Sequence, residues 1–206
     1  MIVTSKDVKL SLIPSTTPRA VGIHVSGIIR AIAKQTGILK AEDAEDIKEP
    51  SIADIREITD PVALVRISIG LAWEEYYLKF LGIREIKKHP GERCVDRIYM
   101  NPDGVGISRD WLASSRVMIT RIHEVKATYK SIKTVGDMTK QWLWLTQIKA
   151  YCKGFGTRYA TMHVLFLCGD YKFPIRPIVR EWPIEFTQKE IDDNWEMLTE
   201  YRDWRE

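Results

Sequence analysis

The sequence predicts an α/β protein in which helices flank a mixed central β-sheet. Helical periodicity and strand-like alternation follow each other along the chain in the order helix, strand, strand, helix, strand, then a hairpin and a helix. Residues 161–168 form a continuous apolar segment, which is typical of a central strand covered on both faces. We therefore expect parallel as well as antiparallel pairing in one sheet.

The length and composition indicate a single domain. We predict one domain over residues 1–206, with a core over roughly 62–170. An N-terminal arm and helix (1–61) and a C-terminal hairpin and helix (171–206) complete it. No apolar run reaches the roughly 18 residues that would span a membrane, and residues 1–10 lack a signal-peptide pattern. We expect a cytoplasmic protein with no membrane partner.

Charge and cysteine content limit the classes of function. The formal net charge of +3 permits a nucleic-acid partner without requiring one, because such binding depends on a local basic patch. The cysteines Cys94, Cys152 and Cys168 are far apart and form no CxxC pair, which argues against a zinc or iron–sulfur site. We expect all three to be buried free thiols.

The first predicted helix precedes an acidic segment. Ser26 is its predicted N-cap, Ile28, Ile29 and Ile32 form its apolar face, and Gly37 closes it. Just before it, His24 is either a group near a site or a packed structural histidine. Residues 1–20 are predicted to be an irregular arm or an edge strand, and residues 40–61 a solvated loop or a lid.

The second predicted helix carries an acidic candidate for a site. It covers residues 62–80 and ends at Gly82, with Leu71, Leu78 and Leu81 as core candidates. Glu74 lies one turn after Gly70, whose missing side chain would let another backbone approach closely. Glu74 faces the site in one interpretation, whereas in the other Glu74 and Glu75 are solvated.

A predicted antiparallel strand pair holds the main candidates. Residues 94–107 alternate as a strand that kinks at Gly104 and Gly106, just after Asp103. The partner strand, residues 117–128, contains the segment Glu124-Val125-Lys126. Because strand residues i and i+2 share a face, the carboxylate and the ammonium point to the same side and Val125 to the other.

Strand pairing would bring Asp103 alongside Glu124. Asp110 is the rival for the same role, but it falls in the predicted connecting loop. Charges on an otherwise apolar strand are costly unless they are paired or bind a metal. This cost is what makes the segment around Glu124 a candidate site.

The C-terminal half supplies the remaining candidates. In a helix predicted near residues 137–152, Trp144, Gln147 and Tyr151 share a face, and Gly156 follows the helix. Residues 171–186 are predicted to be an edge hairpin because they contain Pro174 and Pro177. Thr187 to Glu190 form a capping box before the last helix, whose apolar face is formed by Ile191, Trp195 and Leu198.

The ordered set PD…ExK…QxxxY suits hydrolysis of a phosphodiester. Asp103 and Glu124, with the Val125 carbonyl as a third oxygen and Glu74 nearby, are candidate ligands for Mg²⁺ or Mn²⁺. Lys126 would orient the attacking water or stabilise the transition state. Gln147 and Tyr151 would hold a phosphate, a water or a base. Three lysines are the candidates for nonspecific phosphate contacts: Lys130, Lys133 and Lys140.

On these residues the chain resembles the PD-(D/E)xK nuclease superfamily, in particular its RecB-like and lambda-exonuclease-like branch. The matching positions are Gly70 and Glu74 on the early helix, Asp103, Glu124 with Lys126, and Gln147 with Tyr151. The resemblance covers roughly residues 62–170. It implies a restriction-endonuclease-like core and Mg²⁺- or Mn²⁺-dependent cleavage of DNA.

Two departures narrow the resemblance. Trp73 precedes Glu74 on the early helix, where RecB-type domains often have a histidine, and the cluster-binding cysteines of CRISPR-type members are absent. Both favour a lambda-exonuclease-like or phage nuclease in a bacterial or phage-infected cell. The partners implied are DNA, further copies of the chain, and a separate recombination or helicase protein.

Three functions remain open from the sequence. The first is an exonuclease for DNA recombination, repair or end processing, and the second is a structure-specific or restriction-type endonuclease on the same fold. The third is a nucleic-acid-binding or assembly protein that keeps the fold without catalysis, since a fold alone does not establish an activity.

Overall fold

The computed structural model describes residues 22–38, 61–82, 86–88, 90–109, 118–135 and 137–203. The strands are β1 (Ile23–His24), β2 (Lys87–Lys88), β3 (Arg93–Val95), β4 (Ile98–Met100), β5 (Gly104–Arg109), β6 (Met118–Thr128), β7 (Tyr159–Phe166) and β8 (Ile178–Glu185). The helices are α1 (Val25–Gln35), α2 (Pro61–Gly82), α3 (Ile132–Val135), α4 (Trp142–Phe155) and α5 (Gln188–Asp203), and a 3₁₀ turn covers Met138–Lys140.

The strands form two mixed sheets. The larger has the order β2-β5-β6-β7-β8, in which only β6 and β7 are parallel. The smaller has the order β1-β4-β3, with β1 parallel and β3 antiparallel to β4. The predicted fold class, a mixed α/β arrangement flanked by helices, is confirmed. The small sheet was not predicted, because its strands are only two or three residues long.

Helices cover both faces of the large sheet. On one face, α4 and Ile122 of β6 belong to the main hydrophobic core, which also contains residues of α1, α5 and β7. On the other face, Val125 packs in a smaller cluster with Tyr77, Leu78 and Leu81 of α2. Strand β6 is therefore covered on both sides, which explains why Glu124 and Lys126 cannot simply be solvated.

The long second helix is confirmed over Pro61–Gly82, but two details of its prediction are wrong. Leu71 is 46% exposed, whereas Leu78 and Leu81 are buried as expected. A Cβ built at Gly70 meets no atom within 4 Å among the described residues, so none of the described backbone approaches there. With apolar residues on several sides of α2, periodicity alone did not identify the buried face.

The strand predicted over residues 94–107 is three separate strands. Asp96 and Arg97 both have positive φ angles, 47° and 61°, and form the tight turn of the β3–β4 hairpin. The chain then breaks at residues 101–103 and continues as β5. The prediction missed the hairpin because neither turn residue is a glycine or an asparagine, the usual signals for that backbone conformation.

Other local predictions had mixed outcomes. The capping box before α5 is confirmed: the Thr187 amide donates to Glu190 Oε2 at 2.8 Å, and the Glu190 amide donates to Thr187 Oγ1 at 3.2 Å. Ser26 is not an N-cap, since α1 begins at Val25 directly after β1. In place of the hairpin predicted over residues 171–186, an exposed loop leads into the single edge strand β8.

The helix predicted near residues 137–152 begins later and ends later than expected. Asp137 caps the 3₁₀ turn instead, accepting from the Thr139 amide, and α4 runs over Trp142–Phe155. Its C-cap is Gly156, whose φ of 64° is in the left-handed region that glycine adopts without strain.

The cysteine prediction is correct only for Cys152, which is buried. Cys94 is exposed and Cys168 is half-buried. Burial raises the pKa of the Cys152 thiol to about 12, so this thiol is inert at neutral pH.

Several predictions lie outside the described residues: the arm at 1–20, most of the acidic segment at 40–61, and Asp110. Among the helices that the structure does describe, none is long and apolar enough to cross a membrane.

Candidate active site

Asp103 lies at the start of β5, opposite the middle of β6. Its Oδ2 accepts a hydrogen bond of 2.8 Å from the Val125 amide. The β5–β6 register ends with Gly104 opposite His123, so the carboxylate takes the place of the next backbone acceptor in the ladder. A side chain held by a backbone donor in this way has a fixed direction, because a swing away from β6 would leave that amide without its partner.

Pro102 explains why the ladder stops at this point. Continuing the register by two residues would place Pro102 opposite Val125, and proline has no N–H to donate. The amide and the carbonyl of one strand residue point to the same side, so the Val125 carbonyl is directed toward the edge where Asp103 lies. Because Pro102 cannot donate to it, the Val125 carbonyl is a candidate ligand beside the carboxylate.

Glu124 is the most deeply buried charged residue of the site. Its side chain is 1% exposed, and Oε1 forms a short ion pair with the Lys126 ammonium. The other oxygen, Oε2, is buried and has no hydrogen-bond partner among the described residues. A buried acceptor without a partner is costly, so this oxygen is a candidate position for a ligand.

Lys126 is less buried than its partner, with 28% of its side chain exposed. Strand alternation places it on the same face as Glu124, and the ion pair between them follows from that spacing. Its ammonium thus connects the buried carboxylate to the solvent-accessible side of the site.

The charges of the site shift the pKa values of both members of the pair. Burial, and then the negative charge of Asp103, raises the pKa of the Glu124 carboxyl to about 8 against the opposing attraction of Lys126. Burial acts to lower the pKa of the Lys126 ammonium, but the nearby carboxylates outweigh it and raise that pKa. Glu74 contributes to both shifts, so its charge lies within range of the pair.

Gln147 and Tyr151 lie on α4 and contact each other, with 2.6 Å from Gln147 Nε2 to the Tyr151 hydroxyl. Tyr151 belongs to the same buried core as Ile122, which shares its face of β6 with Glu124. The QxxxY pair therefore packs on the face of the sheet to which the ExK pair belongs. Trp144, one turn earlier, is partly buried against this core.

The three predicted phosphate-contacting lysines occupy two places. Lys130 and Lys133 are exposed just beyond the end of β6. Lys140 is also exposed, but it forms an ion pair of 3.3 Å with Asp137. His24 is buried: its ring contacts Tyr99 and its Nδ1 lies 3.3 Å from Glu92 Oε1, which fits the packed structural interpretation.

The donor set fits a hard divalent cation such as Mg²⁺. No group of three or more His, Cys, Asp or Glu side chains suitable for a metal occurs in the part of the chain that the structure describes. Mg²⁺ does not need one, because it is commonly held by one or two carboxylates and keeps several waters. Glu124 Oε2, Asp103 and the Val125 carbonyl would supply three oxygen ligands, and Glu74 would add negative charge.

A line of polar contacts on the opposite face of β6, which runs from buried His123 to exposed Glu181, was not predicted. His123 Nδ1 lies 2.9 Å from His163 Nε2, and His163 Nδ1 lies 3.3 Å from the Tyr77 hydroxyl. Tyr77 in turn donates to Glu181 Oε1 at 2.5 Å. The line joins α2 to three neighbouring strands. The only sequence signal was two histidines in otherwise apolar strands.

Comparisons with solved structures show the same fold in two exonucleases. No family model matches the chain, and no curated protein matches its sequence. An alkaline exonuclease from Laribacter hongkongensis, LHK-Exo, has a TM-score of 0.52 at 12% identity, over 88% of this chain and 86% of that one. The complex of LHK-Exo with dAMP gives a TM-score of 0.53 over the same shares, also at 12% identity. A phage-related exonuclease from Haemophilus somnus 129PT has a TM-score of 0.52 at 13% identity, over 88% of this chain and 91% of that one. At these identities the comparisons show that the chain has the fold of these exonucleases.

Proposed function

We propose that the protein is a metal-dependent deoxyribonuclease, acting as an exonuclease in DNA recombination, repair or end processing. The observation that carries the proposal is the state of Glu124. One carboxylate oxygen is paired with Lys126, while the other is buried and has no hydrogen-bond partner within the described part of the chain; the negative charge of Asp103 acts on the same carboxyl. A structural ion pair has no need of this open position, whereas a metal-assisted hydrolase does.

Each residue has a defined part in this chemistry. A bound Mg²⁺ or Mn²⁺ would neutralise negative charge and lower the pKa of a bound water, which makes the attacking hydroxide easier to form. Asp103, Glu124 and the Val125 carbonyl would hold the cation. Lys126 would stabilise the negative charge that develops on the phosphoryl oxygens. Gln147 and Tyr151 would position a phosphate or a base on the same face.

The choice of DNA and of an exonuclease rests on the fold and on the resemblance of the motifs. The proteins that share the fold are described as exonucleases, and one of them as a complex with dAMP. Lys130, Lys133 and Lys140 would add contacts to phosphates that do not depend on base sequence.

Cleavage of two DNA forms tests the proposal. Purified protein is incubated with end-labelled linear duplex and with covalently closed circular DNA, in Mg²⁺, in Mn²⁺ and in chelator. We expect loss of the linear DNA alone, and only with metal, because an exonuclease needs an end. Cutting of the circle would instead support the endonuclease. Binding without cleavage of either form would support the non-catalytic protein.

Two substitutions test the site. We expect Glu124→Gln and Lys126→Ala each to lower cleavage at least about 100-fold, because each removes electrostatic stabilisation of the transition state. Glu196→Gln is the matched control, since Glu196 is an exposed residue of α5 outside the site. Circular dichroism would verify that the variants remain folded. Full activity in either site variant would contradict the assignment.

A further inference from the structure

The loop between β7 and β8 exposes aromatic and apolar side chains of the kind that proteins normally bury. Phe173 is 96% exposed, Tyr171 54% and Ile175 55%. The three alternate along the chain with Lys172 and Pro174. An exposed phenylalanine does not gain the free energy that burial of its ring would provide. Such a cluster therefore indicates a binding surface.

The base of this loop is firmly held. The Leu167 amide donates to the Thr128 carbonyl at 3.0 Å, and the Ile132 amide donates to the Gly169 carbonyl at 2.9 Å. The Tyr171 hydroxyl also donates to the Tyr129 carbonyl. Gly169 has a φ of 54°, and a Cβ there would overlap the Arg176 carbonyl oxygen. The exposed rings therefore project from a fixed base at the end of β6.

This packing brings the loop together with the segment that follows β6. We refer to residues 129–133 and 168–177 as the aromatic-basic end of the sheet. It carries four cations, Lys130, Lys133, Lys172 and Arg176, and one carboxylate, Asp170, which lies 3.8 Å from the Lys172 ammonium. All four cations are exposed. The surface is therefore complementary to a polyanion.

The aromatic-basic end is also close to the candidate active site. Lys126 lies on β6 two residues before Thr128, the last residue of that strand. At about 3.3 Å per residue, the two Cα atoms are about 7 Å apart. The first residue of the aromatic-basic end, Tyr129, is three residues after Lys126, which corresponds to about 10 Å of extended chain. A strand bound at this end could thus reach the Glu124–Lys126 pair.

We propose that the aromatic-basic end binds unpaired DNA, with bases stacked on Phe173 and Tyr171 and phosphates contacting the four cations. Alternation of exposed rings with cations is the pattern that single-strand binding uses, because every base has a face to stack. The bases of an intact duplex are already stacked on each other and do not offer that face. The inference deepens the proposed function and rests on it: the substrate would be held as an unpaired strand beside the site.

Binding measured without cleavage tests the inference separately from the proposed function. A labelled deoxythymidine oligonucleotide and an abasic oligonucleotide of equal length are titrated in chelator, with fluorescence anisotropy as the readout. We expect Phe173→Ala to weaken binding of the first by roughly 5- to 100-fold and to leave abasic binding unchanged, since stacking needs a base. Phe173→Trp should bind normally, while Phe173→Leu should resemble the alanine variant.

The outcomes separate the two claims. Unchanged oligonucleotide affinity in Phe173→Ala would overturn the inference even if the protein cleaves DNA. Weakened affinity in a protein that cleaves no DNA would support the inference and reject the nuclease. If Phe173→Leu bound as well as wild type, or if Phe173→Ala dissociated a dimer seen by light scattering, the surface would be an apolar contact and the inference would be wrong.

Discussion

Glu124 is a carboxyl group that the fold keeps almost entirely out of water. Burial and the charge of Asp103 raise its pKa from the ordinary 4.5 to about 8 in the folded protein. The folded state therefore binds this proton more tightly than the unfolded chain does. The stability that Glu124 contributes is fully present below pH 4.5 and is lost as the pH rises through about 8.

This linkage predicts a pH-dependent difference between wild type and Glu124→Gln. In chelator, the free energy of unfolding of wild type minus that of the variant should fall as the pH rises from 4.5 to about 8. The slope should not exceed about 1.4 kcal/mol per pH unit. Urea denaturation of both proteins at several pH values measures it. A difference that rises with pH would show that the attraction of Lys126 outweighs burial in setting the pKa of Glu124, and that Glu124 is ionised throughout this range.

The sequence predicted contacts between residues of one strand and of one neighbouring strand pair. It did not predict contacts between elements that are distant in the chain. Glu124 and Lys126 are two residues apart, so alternation alone placed them together. Asp103 followed from one assumed strand pair. The contact of Tyr77 with His163 depends on the crossing of α2 over β7, residues that are 86 positions apart. No local pattern encodes such a crossing.

At the scale of single elements, a predicted helix start was correct where its hydrogen bonds are local and wrong where long-range strand pairing fixes it. The box before α5 uses only neighbouring side chains, so the sequence contained all of it. The start of α1 is instead fixed by the pairing of β1 with β4, which keeps the chain extended through His24 and leaves Ser26 inside the helix. Long-range pairing therefore overrode the local signal.

The box also predicts the stability of α5. Thr187→Ala removes the acceptor of the Glu190 amide and should lower the free energy of unfolding by about 1 kcal/mol. Thr199→Ala is the matched control, because Thr199 Oγ1 donates to carbonyls of its own helix, a contact that adds little. Thermal unfolding compares the two variants. If both variants lost the same free energy of unfolding, the hydrogen bonds of the capping box would add nothing to the general effect of replacing a threonine by alanine.

At the scale of the whole molecule, the small sheet is attached to the helices by contacts between residues that are far apart in the chain. Met100 of β4 lies against Gly154 of α4, and Arg93 of β3 donates to the Gly154 carbonyl at 3.0 Å and stacks on Phe155. The indole of Trp195 on α5 donates to Asp96 at 2.7 Å. These contacts join segments that are far apart in the chain, so the position of this sheet could not be predicted from sequence patterns.

Gly154→Ala tests how much this attachment contributes. A Cβ at Gly154 would overlap the sulfur of Met100, a residue that is 1% exposed and has little space to move. We expect a loss of about 1–3 kcal/mol in urea denaturation, because adding a methyl group to a filled core displaces its neighbours. Gly70→Ala is the control: it is also helical, and its Cβ meets no described atom within 4 Å. There alanine should leave stability unchanged or raise it by up to about 1 kcal/mol. If both variants gained stability alike, helix propensity would outweigh packing at Gly154, and the small sheet would be only loosely attached to α4.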